Sequence, residues 1–125
     1  MVGFVVACCL GCVCVSEVFR KEVVQHIVRN LLDVQLLRIV QAGPTWGYRI
    51  KKQVEAESGV RLRHGALYPA LKVLQDRGFV ESRRQRESGR VRKVYVITEA
   101  GRVYLQTYYG VLLAQLKGED GWKTG

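Results

Sequence analysis

Between Arg83 and Lys93 the chain reads RRQRESGRVRK, and Arg83, Arg84, Arg86, Arg90, Arg92 and Lys93 place six cations in that short stretch. Like charges crowded this closely repel one another, so their concentration calls for an anion to face. A guanidinium offers a planar fork of N–H donors that matches the oxygens of a phosphate or carboxylate. The chemistry is therefore binding rather than bond-making. A second group lies upstream in RLRHGALYPALK, where Arg61, Arg63, His64, Tyr68 and Lys72 flank or occupy an apolar helical pattern.

Catalysis finds no comparable support. His26 and His64 have no nucleophile beside them, the carboxylates are scattered over helix surfaces, and no glycine-rich phosphate loop is present. The chain is not expected to be an enzyme or to need a cofactor. Cys8, Cys9, Cys12 and Cys14 all fall in the opening MVGFVVACCLGCVCV, so no disulfide framework staples the fold, and a reducing cytoplasm fits best. Their CC-x-x-C-x-C spacing lacks the second pair of a zinc site, so no metal is expected. The opening apolar run of about fifteen residues is shorter than the roughly twenty of a spanning helix. Residues 1–16 are accordingly expected to form a disordered, cysteine-rich leader.

At 125 residues, the chain is long enough for one core. Twenty Lys and Arg against eleven Asp and Glu give a net charge of +9, which points to a polyanionic partner; nucleic acid and anionic lipid both fit the charge alone.

The elements that must carry these cations follow from periodicity. Phe19, Val23, Ile27 and Leu31 recur at helical spacing after Ser16, a candidate N-cap, and Leu36, Ile39 and Val40 extend the pattern to Gly43 and Pro44. One long helix and two helices broken near Asn30 to Asp33 are both compatible with it. Thr45 is placed to cap the next helix, WGYRIKKQVEAESG, which presents Tyr48, Ile50 and Val54 and stops at Gly59. Leu67, Leu71 and Leu74 form the stripe of a third helix. Its start is expected between Gly65 and Tyr68, because Pro69 is tolerated best in a first turn. FVESRR and VRKVYVIT then alternate as strands around a turn-forming ESG. Thr98 caps a last helix with Leu105, Tyr108, Leu112 and Leu116 on its apolar face.

The resulting fold class is mainly α with a small β-hairpin: a winged helix-turn-helix over residues 17–97, followed by a C-terminal helix and tail over 98–125. In that arrangement the third helix enters the major groove of double-stranded DNA and the hairpin, or wing, reaches an adjacent phosphate or minor groove. An Arg on the third helix can read guanine, whereas the wing cations are expected to bind phosphate.

WGYRI, GALYPALKVLQDRGFVE and RKVYVITEAGR, with LLDVQLLRIVQAGPT before them, resemble the PadR-type transcriptional regulators over about residues 31–116. The resemblance implies a homodimeric DNA-binding regulator, usually a repressor, whose terminal helices form the interface. Leu105, Tyr108, Leu112 and Leu116 would then face the dimer partner, and the Tyr68 hydroxyl would touch phosphate. It also implies the subgroup with a reduced C-terminal region, and for some relatives a small aromatic or cationic effector near the interface. A winged-helix adaptor for protein contacts is the alternative, which an acidic or apolar wing would have favoured. A membrane-surface protein is a third class, disfavoured because the basic residues lie far along the chain from the apolar leader.

Overall fold

The computed structural model describes residues 16–123, so the cysteine-rich leader lies outside the described residues except for Ser16. Five α-helices and a three-stranded antiparallel sheet make up the described fold, with a 3-10 turn near its end. α1 spans Glu17–Asn30 and α2 spans Leu32–Gln41. The apolar pattern running through both is thus two helices, broken where Leu31 leaves the helical region at φ −114° and ψ 40°. Ser16 makes no side-chain capping bond. α2 is the central helix, with Val34, Leu36, Leu37, Ile39 and Val40 all buried.

Thr45 does not cap the next helix. With Trp46 it forms β1, paired antiparallel with β3 (Arg90–Ile97) through Thr45 to Tyr95 and Trp46 to Val94. The ladder takes the backbone that a cap would have used, and α3 (Gly47–Ser58) starts without a side-chain cap. Ile50 and Val54 bury its inner face, whereas Tyr48 is exposed.

α4 spans His64–Asp76 and turns Leu67, Leu71 and Leu74 inward. It begins at or just before the expected start, and Pro69 therefore sits one turn inside. Having no N–H, Pro69 leaves the Gly65 carbonyl without its helical partner at the exposed start of the helix. The loop before α4 is tied back by Glu55, whose Oε2 accepts from the Leu62 N–H at 2.9 Å and from the Lys51 ammonium at 3.1 Å. These donors, the backbone N–H first, hold the Glu55 carboxyl below its ordinary range.

At the far end, Gly78 adopts φ 79°, and the N–H groups of Gly78 and Phe79 return to the carbonyls of Gln75 and Leu74. This is the glycine-dependent six-to-one closure that ends a helix and turns the chain. β2 (Val80–Glu87) then pairs with β3 in the register Val80 to Ile97 through Glu87 to Arg90. Ser88 and Gly89, at φ 51° and 77°, form the two-residue turn whose left-handed backbone matches strand twist.

α5 spans Glu99–Leu116 and is capped as expected, the Thr98 hydroxyl accepting from the Gly101 N–H at 3.0 Å. The sheet order is β1-β3-β2, and the core lies between α2, the inner faces of α3 and α4, the sheet and the first turns of α5.

A depressed carboxylate stabilises the fold fully above its unfolded pKa and loses that contribution as pH falls through its lower folded value. Glu55, whose ordinary value is 4.5, should behave so. Thermal unfolding is expected to show the wild type losing stability relative to Glu55→Gln as pH drops from about 4.5. Parallel pH profiles would mean that the loop tie contributes nothing.

Candidate functional site

The outer face of α4 presents His64, Tyr68 and Lys72 in one line, all exposed, at four-residue spacing. The rings of His64 and Tyr68 stack with centroids 5.6 Å apart and planes 4° from parallel. Arg61 and Arg63 are exposed on the approach to the helix, where the Arg63 carbonyl accepts from the N–H groups of Ala66 and Leu67. Lys72 is bonded to Asp76 at 3.0 Å, so part of its charge is answered within its own helix. An exposed pair of this kind contributes little stability and opens readily.

Tyr68 is 42% exposed, not a buried ring, and one glycine sets its position. A Cβ on Gly47 would come within 2.7 Å of the Tyr68 hydroxyl oxygen and 2.8 Å of its Cε1. The first residue of α3 therefore has to lack a side chain for the Tyr68 ring to lie across it.

In the wing, strand alternation divides the cations. The register puts Arg84, Arg86 and Lys93 on the face shared with Val80, Tyr95 and Ile97. Arg83, Arg90 and Arg92 stand on the other face, shared with Val94. Among the described residues, none of the six is in an ion pair. All but Arg92 are exposed. A single run of cations in the sequence thus becomes two triplets looking in two directions.

The second triplet meets residues that the sequence pattern does not mark as functional. Trp46 lies under the Arg92 guanidinium at 4.4 Å from its ring centroid and also has Arg49 at 5.3 Å. With Tyr48, Lys52 and Arg90 these residues line an open hollow of about 810 Å³ between α3 and the wing. The pairing of Trp46 with Val94 brings them together, and helical spacing sets Arg49 and Lys52 on one side of α3. The sequence signal was WGYRIKK itself, an aromatic followed by cations, but the sequence alone does not show that Trp46 joins the sheet.

On α5, the expected interface residues do not act alike. Leu105 is fully buried within the protomer, where it anchors α5 to its own core, so it is not available to a partner. Tyr108 and Leu112 are half-buried and line a hollow of about 330 Å³ with Tyr104 and Val111, and Leu116 is 74% exposed. Burial, together with Asp33 and Tyr104, pushes the Tyr108 hydroxyl above its ordinary pKa. Phe19 (65% exposed), Val23 and Ile27 form an uncovered apolar stripe on α1. Among the described residues no group of His, Cys, Asp and Glu is placed to hold a metal, and no helix is long and apolar enough to cross a membrane.

The model of the family described as "Transcriptional regulator PadR-like family" matches residues 36–107, more than half of the chain. Among solved structures, a PadR family transcription regulator from Clostridium difficile is 28% identical with a TM-score of 0.64, covering 69% of this chain and 91% of that one. Bacillus subtilis PadR in complex with operator DNA is 28% identical with a TM-score of 0.57, over 63% of this chain and 45% of that one. A PadR family regulator from Eggerthella lenta, 22% identical over 82% of this chain and 89% of its own, shares the fold with a TM-score of 0.67. No curated protein matches the chain.

A methyl on Gly47 would meet only the far end of the Tyr68 side chain, so its cost is that of displacing this one ring. Gly47→Ala should lower the melting temperature, and most of that loss should disappear when Tyr68→Ala is present as well. Additive losses in the double variant would show that Gly47 does not serve Tyr68.

Proposed function

The chain belongs to the PadR-like family of transcriptional regulators, and from that premise we propose that it is a homodimeric, sequence-specific DNA-binding repressor. The observation that carries this reading is the exposed α4 face of His64, Tyr68 and Lys72, presented on the same small domain as a wing whose cations are in no ion pair among the described residues. α4 occupies the place of a recognition helix, and Arg61, Arg63, His64, Tyr68 and Lys72 are the residues assigned to the major groove and its edges. Arg83, Arg84, Arg86, Arg90, Arg92 and Lys93 are assigned to phosphate. The complex of Bacillus subtilis PadR with operator DNA supports the same partner for this chain.

The homodimer is supported by apolar surface that the protomer does not cover. On α1 this is Val18, Phe19, Val23 and Ile27; on α5 it is Val103, Val111, Leu113 and Leu116. Burying such surface against a second copy removes apolar area from water at about 25 cal/mol per Å². Tyr108, Leu112 and Leu116 remain assigned to the interface, with α1 added to it. A two-fold dimer would place its recognition helices about one DNA turn apart, so the operator is roughly palindromic. Repression follows from occupying a promoter. A small effector, if one acts here, has the hollow beside Tyr104 and Tyr108 as its place. The regulator acts in the cytoplasm, where promoters are accessible. The adaptor alternative is disfavoured by a wing that is neither acidic nor apolar.

Arg84 and Arg86 lie on the wing face away from the α3 hollow and pair with no carboxylate among the described residues. In fluorescence anisotropy across a salt series, Arg84→Ala/Arg86→Ala should weaken all duplexes alike. Its slope of log K against log salt should flatten by about 0.9 for each phosphate that is no longer neutralised. Wild-type affinity and slope in that variant would remove the wing from the interface.

A further inference from the structure

The hollow between α3 and the wing combines features that ordinary packing does not require. Four cations, Arg49, Lys52, Arg90 and Arg92, line it with Trp46 and Tyr48, and no carboxylate does. Elsewhere on the described surface, acidic residues form ion pairs with Arg38, Lys51, Lys72, Arg102 and Lys123, but none does so with these four, although Glu87 stands opposite Arg90 in the ladder and Glu55 acts on Lys52 at longer range. The aromatic rings hold the cations in place: Arg92 and Arg49 lie over Trp46, and the Lys52 ammonium is 5.4 Å from the centroid of the Tyr48 ring. Cations fixed on rings have already lost the freedom that binding would otherwise cost them.

Two donors here also lack acceptors. Arg92 Nε and Trp46 Nε1 are buried with no hydrogen-bond partner among the described residues. Buried N–H groups are nearly always paired, and with Thr45 Oγ1 as a third such atom the packing at the root of the hollow is polar and unsatisfied, but none of the three is open to a ligand as the protomer stands. The start of α3 adds to this field: it has no side-chain cap, and the first N–H groups of a helix favour negative charge.

We propose that this hollow seats a backbone phosphate of bound duplex DNA, gripped by Arg92 and Arg49 on Trp46 with Lys52 and Arg90 around it. The proposal rests on the DNA-binding reading and adds to it a phosphate seat built by the supporting helix α3 together with the wing. A phosphodiester fits better than a small free anion because the hollow is wide and open, lies between two elements of the DNA-binding domain, and has no enclosing wall to retain a small ion. This seat serves affinity and register, not sequence, since every nucleotide offers the same phosphate. It also explains why the wing cations are split: Arg90 and Arg92 complete the α3 hollow while Arg84, Arg86 and Lys93 face elsewhere.

The test uses the full chain on a duplex from its own upstream region, comparing wild type with Arg49→Ala/Lys52→Ala. Arg102→Ala/Lys117→Ala serves as a control that removes the same charge from the α5 region, and melting temperatures confirm that each variant is folded. The salt slope should flatten by about 0.9 per protomer in the hollow variant and stay unchanged in the control. In a Trp122→Phe background, Trp46 emission should change on adding the duplex. If the wild type binds DNA and the hollow variant keeps its slope, the seat is overturned while the regulator reading stands. If inorganic phosphate alters Trp46 emission and the duplex does not, the hollow is a free-anion site and the proposal fails. If the wild type binds no duplex, the DNA-binding reading has itself failed and takes the seat with it.

Discussion

The junction around Thr98 is the constraint on which the remaining geometry depends. Its hydroxyl donates to the Gly78 carbonyl at 2.6 Å while accepting from the Gly101 N–H, and its own N–H donates to the Phe79 carbonyl at 3.0 Å. One residue thereby ties the turn after α4, the end of β3 and the start of α5. Gly101 completes the tie because a Cβ there would overlap the Phe79 carbonyl oxygen. Phe79 stacks on Tyr104 at 4.3 Å between ring centroids, and Arg77 lies over both rings. α4, the root of the wing and the helix assigned to dimerisation are thus held at fixed angles. In the proposed dimer, two copies of α4 can be spaced to suit one operator only if that angle is fixed, because error at the root of α5 would be magnified at the DNA.

Charge is arranged on this frame by sorting rather than by quantity. A net charge of +9 would favour any polyanion. What distinguishes the surface is where its ion pairs form: Glu57 pairs with Arg38 and Glu55 with Lys51, whereas the wing cations, Arg49 and Lys52 are in none among the described residues, although Glu87 stands opposite Arg90 in the ladder. The Glu57 carboxyl is held below its ordinary range mainly by its bond from Arg38. Those two acids brace α3, and Arg49 and Lys52 on the same helix are in no ion pair among the described residues.

Much of this was legible in the sequence, for physical reasons. The stripe Leu67, Leu71 and Leu74, the hairpin around Ser88 and Gly89, and the Thr98 cap are local patterns, in which periodicity and turn chemistry act within a few residues. What was not legible depended on distant pairing. Thr45 reads as a cap until Tyr95, fifty residues away, draws it into a sheet. Leu105 reads as one of four equivalent apolar positions until the core closes over it and leaves Leu116 outside. The wing cations read as one run because the sequence does not show which strand partner each will face, and Trp46, Arg49 and Lys52 gained meaning only when β1 brought Trp46 beside Arg92.

Specific recognition of DNA is the claim on which all of this converges. The measurement that meets it most directly is anisotropy of the purified chain on a duplex from its own upstream region against a scrambled duplex of the same composition. Specific regulators prefer their sites by about a thousandfold or more at physiological salt, and a preference of that order with a steep salt dependence is the expected result. Equal, salt-sensitive binding to both duplexes would contradict it by reducing the charged surface to a non-specific polyanion binder, and absence of binding to either would favour a winged helix used for protein contacts.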